Sequence, residues 1–241
     1  MSKEKTQNKW IFLSHELSPA LSAYGNGDPV KIEPKSLISK GSSSNSSVLK
    51  LSSHLGTHID FPRHFSDTGP HGSDYNANDF VFHQVNLLEI PFQNASDYLI
   101  QPHHIPVEKL DAATEFLLIK THLCEHRASD IYWGKNPGLS PELAGFFINK
   151  MPGLKAVGVD LISLSSWQRR DIGRIAHKEF LVHHNILIIE DMDLSKVEET
   201  TCFETVIVSP LRFSKADGSP VTVFAHVRNE NIKSENKKYF L

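Results

Sequence analysis

Cysteine is nearly absent: Cys124 and Cys202 are the only two in 241 residues. So small a set excludes a disulfide scaffold and a closed cysteine-rich zinc site, and it points to two buried, reduced thiols in a cytoplasmic protein. A basic block is missing as well. The formal net charge is −3, which argues against nucleic acid or an anionic membrane surface as a partner. No run approaches the roughly 20 apolar residues of a membrane helix. The segment from Met1 to Trp10 carries charge without an apolar stretch, so no secretory leader is expected. A G-x-S-x-G elbow, a G-x-G-x-x-G turn and a P-loop are also lacking, which removes the sequence support for a serine hydrolase or a nucleotide-binding protein.

What remains is an ordinary globular balance, with 39% hydrophobic and 22% charged residues. Neither a repeat nor a linker interrupts it, so residues 1–241 read as one domain, with 1–9 and 229–241 as polar, frayed arms. Short runs rich in Val, Ile, Leu and Phe predict strands at Trp10–Leu13, Val48–Leu51, Phe80–Ile90, Phe116–Lys120, Ala156–Leu161, Ile186–Ile189, Thr205–Val208 and Val221–Val227. The Asp-Gly pair at Asp217-Gly218 predicts a hairpin between the last two. Helical signals are fewer. Ser140-Pro141-Glu142 offers an N-cap and a first-turn proline ahead of Leu143–Lys150. Ile172–His184 has a helical period, Pro106–Ala113 allows a short helix, and Ser42–Ser47 reads as a serine-rich loop. Many strands with few helices predict a mixed α and β fold.

Fourteen histidines stand out, and their grouping carries the information. In the segment from His54 through Leu55, Gly56, Thr57, His58, Ile59, Asp60, Phe61, Pro62 and Arg63 to His64, four candidate ligands all have even numbers. In an extended chain, side chains two apart share a face. A helix would turn Asp60 away from the two histidines before it, and Gly56 and Pro62 oppose a helix. A straight strand would nevertheless hold His54 and His64 about 33 Å apart. The segment must bend, at Gly56 and Pro62, to gather these groups around an ion. Imidazole and carboxylate suit Zn²⁺ and Mn²⁺, and a His/carboxylate site open to water is the usual catalytic kind.

A second group lies downstream. His177 falls on the predicted helix, and Glu190 ends the apolar run Ile186–Ile189, so it would emerge at a strand terminus, where sites often form. On spacing alone, the choice among His177, Glu179, His183, His184, Glu190 and Asp191 as ligands stays open.

At these residues the chain resembles the metal-dependent cyclase-like hydrolase family, which includes bacterial kynurenine formamidases and isatin hydrolases. His54 to His64 matches the family's H-x-G-T-H-x-D-x-P-x-H pattern without a gap, and the step from His177 to Glu190 matches a further His and Glu. Weaker likenesses lie at Leu13–Leu17, Gly25–Pro29, Val157–Asp160 with Ser163, and Gly218–Val221. The resemblance implies a swivelling β/β/α layered single domain, in homodimers or homotetramers. It implies that His54 and His58 bind a first metal, that Asp60 and Glu190 are shared between two, and that His177 holds the second. His64 would be the proton donor and acceptor. Zinc is the metal implied, one ion or two, with manganese in relatives. A departure falls at Thr121-His122-Leu123-Cys124, where relatives often carry a Thr-Gly-Trp-like stretch expected to shape the pocket.

The expected activity is hydrolysis of a small, aromatic or cyclic amide, arylformamidase-like, with Phe61, Phe65, Tyr132, Trp133 and Trp167 as candidates to line an apolar pocket. Thr57, between ligands, is a candidate to brace one of them. A metal-dependent cyclase, dehydratase or lactone hydrolase is a second reading, and a metal-binding protein without turnover is a third. The presence of His64 favours the enzymes, because a structural site has no use for a proton-transfer group beside its ligands.

Overall fold

The computed structural model describes residues 9–19 and 27–228. Residues 1–8 and 229–241, which include most of the expected arms, lie outside that range, as do Gly25 and Asn26; Lys9 opens the first strand. In chain order the strands are β1 (Lys9–Phe12), β2 (Lys31–Ser36), β3 (Ser46–Lys50), β4 (His58–Asp60), β5 (Val81–Phe82), β6 (Val85–Glu89) and β7 (Leu99–Ile100). They continue as β8 (Phe116–Lys120), β9 (Gly138–Leu139), β10 (Ala156–Val159), β11 (Leu187–Glu190), β12 (Cys202–Pro210) and β13 (Gly218–Arg228). The α-helices are α1 (Asp130–Gly134), α2 (Glu142–Lys150) and α3 (Arg170–Lys178).

Nine strands form one mixed sheet, ordered β5-β12-β13-β4-β11-β10-β8-β6, with β1 also paired to β13. β6, β8, β10 and β11 run parallel, whereas β4, β13, β12 and β5 alternate antiparallel. The expected strand Phe80–Ile90 is in fact two, β5 and β6, on opposite ends of this order, with only His83 and Gln84 between them. So short a connector reaches roughly 10 Å. The sheet must therefore curl until its two ends nearly meet, and β6 does approach β12.

Curling gives the sheet two buried faces. Inside the curl pack Phe82, Phe116, Leu118, Ala156, Leu187, Ile189, Val206 and Val223. On the outer face Leu117, Ile119, Val157, Val159 and Ile188 pack beneath Leu143 and Phe147 of α2 and Ala176 of α3. Alternate residues of β8, β10 and β11 thus enter different cores, the period-2 rule applied to strands buried on both sides. The result is the expected β/β/α layering.

Other expectations change in detail. The last hairpin forms, but β12 and β13 pair from Pro210 and Val221 outward, so the connection is far longer than a two-residue Asp-Gly turn. Pro106–Ala113 yields only a 3₁₀ turn at Val107–Lys109, because Pro106 and the following Leu110 are both extended. Helix α2 forms without a side-chain cap, and the buried Ser140 Oγ has no hydrogen-bond partner. In the serine-rich stretch, Ser46 and Ser47 belong to β3, and Asn45 Oδ1 accepts the Ile38 N–H. Cys124 is buried, but Cys202 is only half-buried, since it opens β12 at the sheet margin. No helix among the described residues is long and apolar enough to cross a membrane.

Candidate metal centre

Sheet parity builds the centre. In β4, Ile59 points into the curl, so His58 and Asp60 face outward toward α3. In β11, Leu187 and Ile189 point inward, so Glu190 faces outward as well. β4 and β11 pair with His58 directly opposite Glu190. Their side chains meet, with His58 Nε2 3.3 Å from Glu190 Oε2 and 3.5 Å from Asp60 Oδ1. Helix α3 lies over this face and supplies His177, whose Nε2 is 3.1 Å from Glu190 Oε1 and 3.7 Å from Asp60 Oδ2. Ligand atoms of His58, Asp60 and Glu190 all lie within 4.8 Å of one another. Residues more than a hundred positions apart in sequence are thus brought to one point.

His54 arrives by a bend. Gly56 has φ +64°, a left-handed conformation that glycine adopts without strain, and it turns the chain so that His54 Nδ1 lies 2.8 Å from Asp60 Oδ1. The imidazole then lies across β13 at Gly218. A Cβ there would sit 2.3 Å from His54 Cε1, so any side chain at 218 would displace the ring. After Phe61 the chain turns through a 3₁₀ helix, Pro62–His64, and His64 stacks on His54 with centroids 4.0 Å apart. His54, Asp60 and His64 form a second ligand-like group, sharing Asp60 with the first.

The outer atoms of these side chains are also held. Nδ1 of His58 donates to the Gly56 carbonyl and Nδ1 of His177 to the Gly173 carbonyl, each at 2.8 Å. Both Nε2 atoms are thereby aimed at the carboxylates. Glu190 Oε1 accepts from the Leu164 N–H and the Ser163 hydroxyl, which gives the Asp160-to-Ser163 element its place beside the centre. The Thr57 side chain makes no hydrogen bond to these side chains among the described residues. Its hydroxyl donates to the Asp191 carbonyl and its oxygen accepts the His15 N–H, tying the ligand strand to the end of β11.

Asp217 is a participant that sequence reasoning missed, having been absorbed into the turn signal. Its Oδ2 lies 3.0 Å from His54 Nε2 and 3.5 Å from His64 Nδ1. Asp191, adjacent to Glu190, was also missed as a structural anchor. It has φ +52° and accepts from Arg127 and the Tyr132 hydroxyl. The signal available was its acidic pair with Glu190 at a strand end, but Arg127 and Tyr132 lie too far off in sequence to be seen as its partners.

Electrostatics mark the same point. Burial lowers the basicity of His58, yet the hydrogen bond to Glu190 and the charge of Asp60 outweigh it and raise the pKa to about 9. His177 is raised in the same way, burial being overcome by Glu190 and Asp60. Burial would push the Glu190 carboxyl up, but His177 and His58 hold it well below the usual range. His64 shifts the other way, lowered chiefly by burial, with His54 and His177 adding to the effect. Asp60 is 1% exposed and Glu190 4%, and neither pairs with a lysine or arginine among the described residues. The two buried carboxylates draw positive charge to the facing imidazoles, as protons or as an ion that takes the protons' place. A divalent cation supplies it, and the N/O donor set with backbone-fixed Nδ1–H groups suits one.

The centre opens to a cavity of about 370 Å³ whose lining includes Phe65, Ile162, Ser165, Arg170 and Arg174 besides the histidines and Glu190. Of the aromatic candidates, only Phe65 lines it, stacked on His177. Phe61 and Tyr132 are core residues, Trp133 packs against the outer core, and Trp167 lies under Arg170. Thr121–Cys124 does not line the cavity either; Thr121 binds the buried Asp160 instead. His183 is exposed, and the half-buried His184 has its Nε2 3.9 Å from Glu179 Oε2.

Residues 11–166 match the family described as "Putative cyclase". The chain belongs to this cyclase family. Among similar family proteins are the kynurenine formamidases of Bacillus anthracis, 27% identical over 215 residues, and of Bacillus cytotoxicus, 28% over 220. Each alignment covers 89% of this chain and 95% of the relative. The fold is that of isatin hydrolase A from Labrenzia aggregata bound to benzyl benzoate, with TM-score 0.78 at 19% identity over 92% of this chain and 94% of that one. A "potential metal-dependent hydrolase with cyclase activity" aligns with TM-score 0.70 at 21% identity over 91% and 98% of the two chains. The cyclase-family match includes His54, His58, Asp60 and His64 and ends before His177, Glu190 and Asp217, which the fold brings to the same place.

Proposed function

We propose that this protein is a metal-dependent hydrolase of a small amide with an aromatic or cyclic body. The observation that carries the reading is the convergence of two buried imidazoles and two buried carboxylates, without a lysine or arginine partner among the described residues, beside a cavity that His58, His177 and Glu190 line. His54, His58, Asp60, His177 and Glu190 hold the metal, one ion or two, with Asp60 common to both ligand-like groups. Zinc is the first choice and manganese the second, on donor type. A bound ion supplies Lewis acidity that activates water and polarises a carbonyl.

Hydrolysis breaks the C–N bond, placing the hydroxyl of water on the carbonyl carbon and a proton on the leaving nitrogen. His64 carries that proton. It lines the cavity beside His54, and burial lowers its pKa, which favours the neutral imidazole that accepts a proton and then releases it. Asp217 accepts the Nε2–H of His54, which directs Nδ1 toward Asp60. The relatives named kynurenine formamidase and the isatin hydrolase fold support amide chemistry on an aryl body, and Phe65 offers it a face. One domain is the reading for the described residues, supported by a single nine-stranded sheet that joins β1 to β13. A homodimer or homotetramer would cover the β2–β3 hairpin, where Ile32, Val48 and Leu49 are exposed. Two free cysteines fit a cytoplasmic setting.

Protein stripped by chelator and reloaded with zinc or manganese should regain hydrolysis of formanilide in proportion to bound metal. Full turnover by metal-free protein would overturn the reading. Turnover of an aryl lactone but no amide would favour lactone hydrolysis instead.

A further inference from the structure

Thr121–Cys124, the stretch expected to shape the pocket, lines no part of the cavity. It leads behind the centre instead. Just past the end of β10, the buried Asp160 accepts both the N–H and the hydroxyl of Thr121 at 2.7 Å. His122 then takes a φ of +64° and opens a 3₁₀ turn, Leu123–His126, anchored by the buried Leu123 and Cys124. The turn delivers Arg127, and α1 follows with Tyr132.

Both residues converge on Asp191, the neighbour of Glu190. Arg127 Nε donates to Asp191 Oδ1 at 2.9 Å, its Nη2 donates to Oδ2, and the Tyr132 hydroxyl donates to Oδ1. A forked pair of this kind fixes a carboxylate in direction as well as in distance. The guanidinium carbon in turn lies 5.8 and 5.5 Å from the ring centres of Tyr132 and Trp133, and Trp133 Nε1 donates to the Arg127 carbonyl. The backbone of Asp191 is held as firmly. Its N–H donates to the Leu161 carbonyl at 2.7 Å, and its carbonyl accepts the Thr57 hydroxyl.

Every polar group of this fully buried residue is therefore engaged. Asp191 also has φ +52°, a left-handed conformation that a residue with a side chain keeps when its surroundings over-determine it. Glu190, the last residue of β11, is one peptide bond away, so whatever fixes Asp191 fixes the base of the Glu190 side chain. We propose that Arg127, Tyr132 and Asp191 form a positioning clamp that holds the end of β11 and thereby aims the Glu190 carboxylate at the metal. The proposal rests on the metal reading of the centre for the word metal, but not for the hold on β11. Its consequence is that metal affinity depends on Arg127, although that guanidinium pairs with Asp191 rather than with a ligand.

Two measurements on the full chain test the clamp: zinc affinity by competition with a chromophoric chelator, and hydrogen exchange over residues 187–193. R127M alone would strand a buried carboxylate, so the deciding variant is R127M/D191N, which removes both charges together. Asparagine also tolerates the left-handed conformation. The double variant should fold, by circular dichroism, yet bind zinc about tenfold more weakly, the lower range for losing an outer partner of a ligand. Exchange over 187–193 should quicken while Phe116–Lys120 stays protected. Y132F, which keeps the ion pair, should weaken zinc by about threefold, one hydrogen bond's share, and R127K, which keeps the charge without the fork, should fall short of wild type by less than R127M/D191N. At saturating zinc, formanilide turnover of the double variant should fall in kcat with KM unchanged, because none of the three residues lines the cavity. Wild-type zinc affinity in folded R127M/D191N, or unchanged exchange over 187–193, would overturn the clamp. If the double variant does not fold, wild-type affinity and exchange in Y132F would overturn it. Wild type that binds neither zinc nor manganese would overturn the metal reading and the aiming of Glu190, while exchange over 187–193 would still decide the hold on β11.

Discussion

The proposed metal centre has two halves built on different principles. His58, Asp60 and Glu190 stand on paired strands whose register is fixed by two hydrophobic cores, and each is at most 4% exposed. His54, His64 and Asp217 stand on turns at the rim, with side chains 21%, 30% and 44% exposed. The buried half is rigid because a one-residue slip would send Ile59 outward and both ligands of β4 into the core. The rim half is positioned by contacts among its own members and by the space above Gly218. Strands thus fix the buried groups in register, while turns carry the groups that meet solvent.

Substitutions should separate the two halves, with the largest effects in the buried one. Asp60→Ala should lose metal and turnover completely, because Asp60 belongs to both ligand-like groups, and His58→Ala should be nearly as severe. Elemental analysis and formanilide turnover would check both. Next should come His64→Ala, with turnover down by roughly 10²–10⁴, the scale for losing a general acid–base group, and most of the metal retained. Gly218→Val should push the His54 ring off β13 and weaken metal affinity by up to about 100-fold, the upper range for disturbing a ligand's orientation. Asp217→Asn should have the smallest effect, roughly tenfold in affinity, since the amide oxygen still accepts the His54 Nε2–H. An Asp217→Asn defect as large as that of Asp60→Ala would break the distinction between the halves.

How much of this was legible in the sequence follows the same division. The even spacing of His58 and Asp60 is a strand property, and Glu190 at the end of an apolar run is another; both survive in the fold because local alternation decides which way a strand residue points. The bend at Gly56 was legible from glycine alone, since the positive φ it adopts is one that other residues avoid. Asp217 was not, because its role depends on β13 passing beneath His54, a contact between residues 163 positions apart. The split of Phe80–Ile90 into β5 and β6 was hidden for a like reason. Polar His83 and Gln84 interrupt the run, but only the order of the whole sheet decides that its two parts pair at opposite ends. Arg127 and Tyr132, which brace Asp191 behind the centre, gave no sequence signal of their partner.

The central claim is that His58 holds metal, whereas His64 beside it moves a proton. Metal content and formanilide turnover, measured together on His58→Ala and His64→Ala, test it most directly. The account expects His58→Ala to be empty and inactive, and His64→Ala to be loaded and slow by at least about 100-fold. Equal metal loss in the two variants, or normal turnover in His64→Ala, would contradict it.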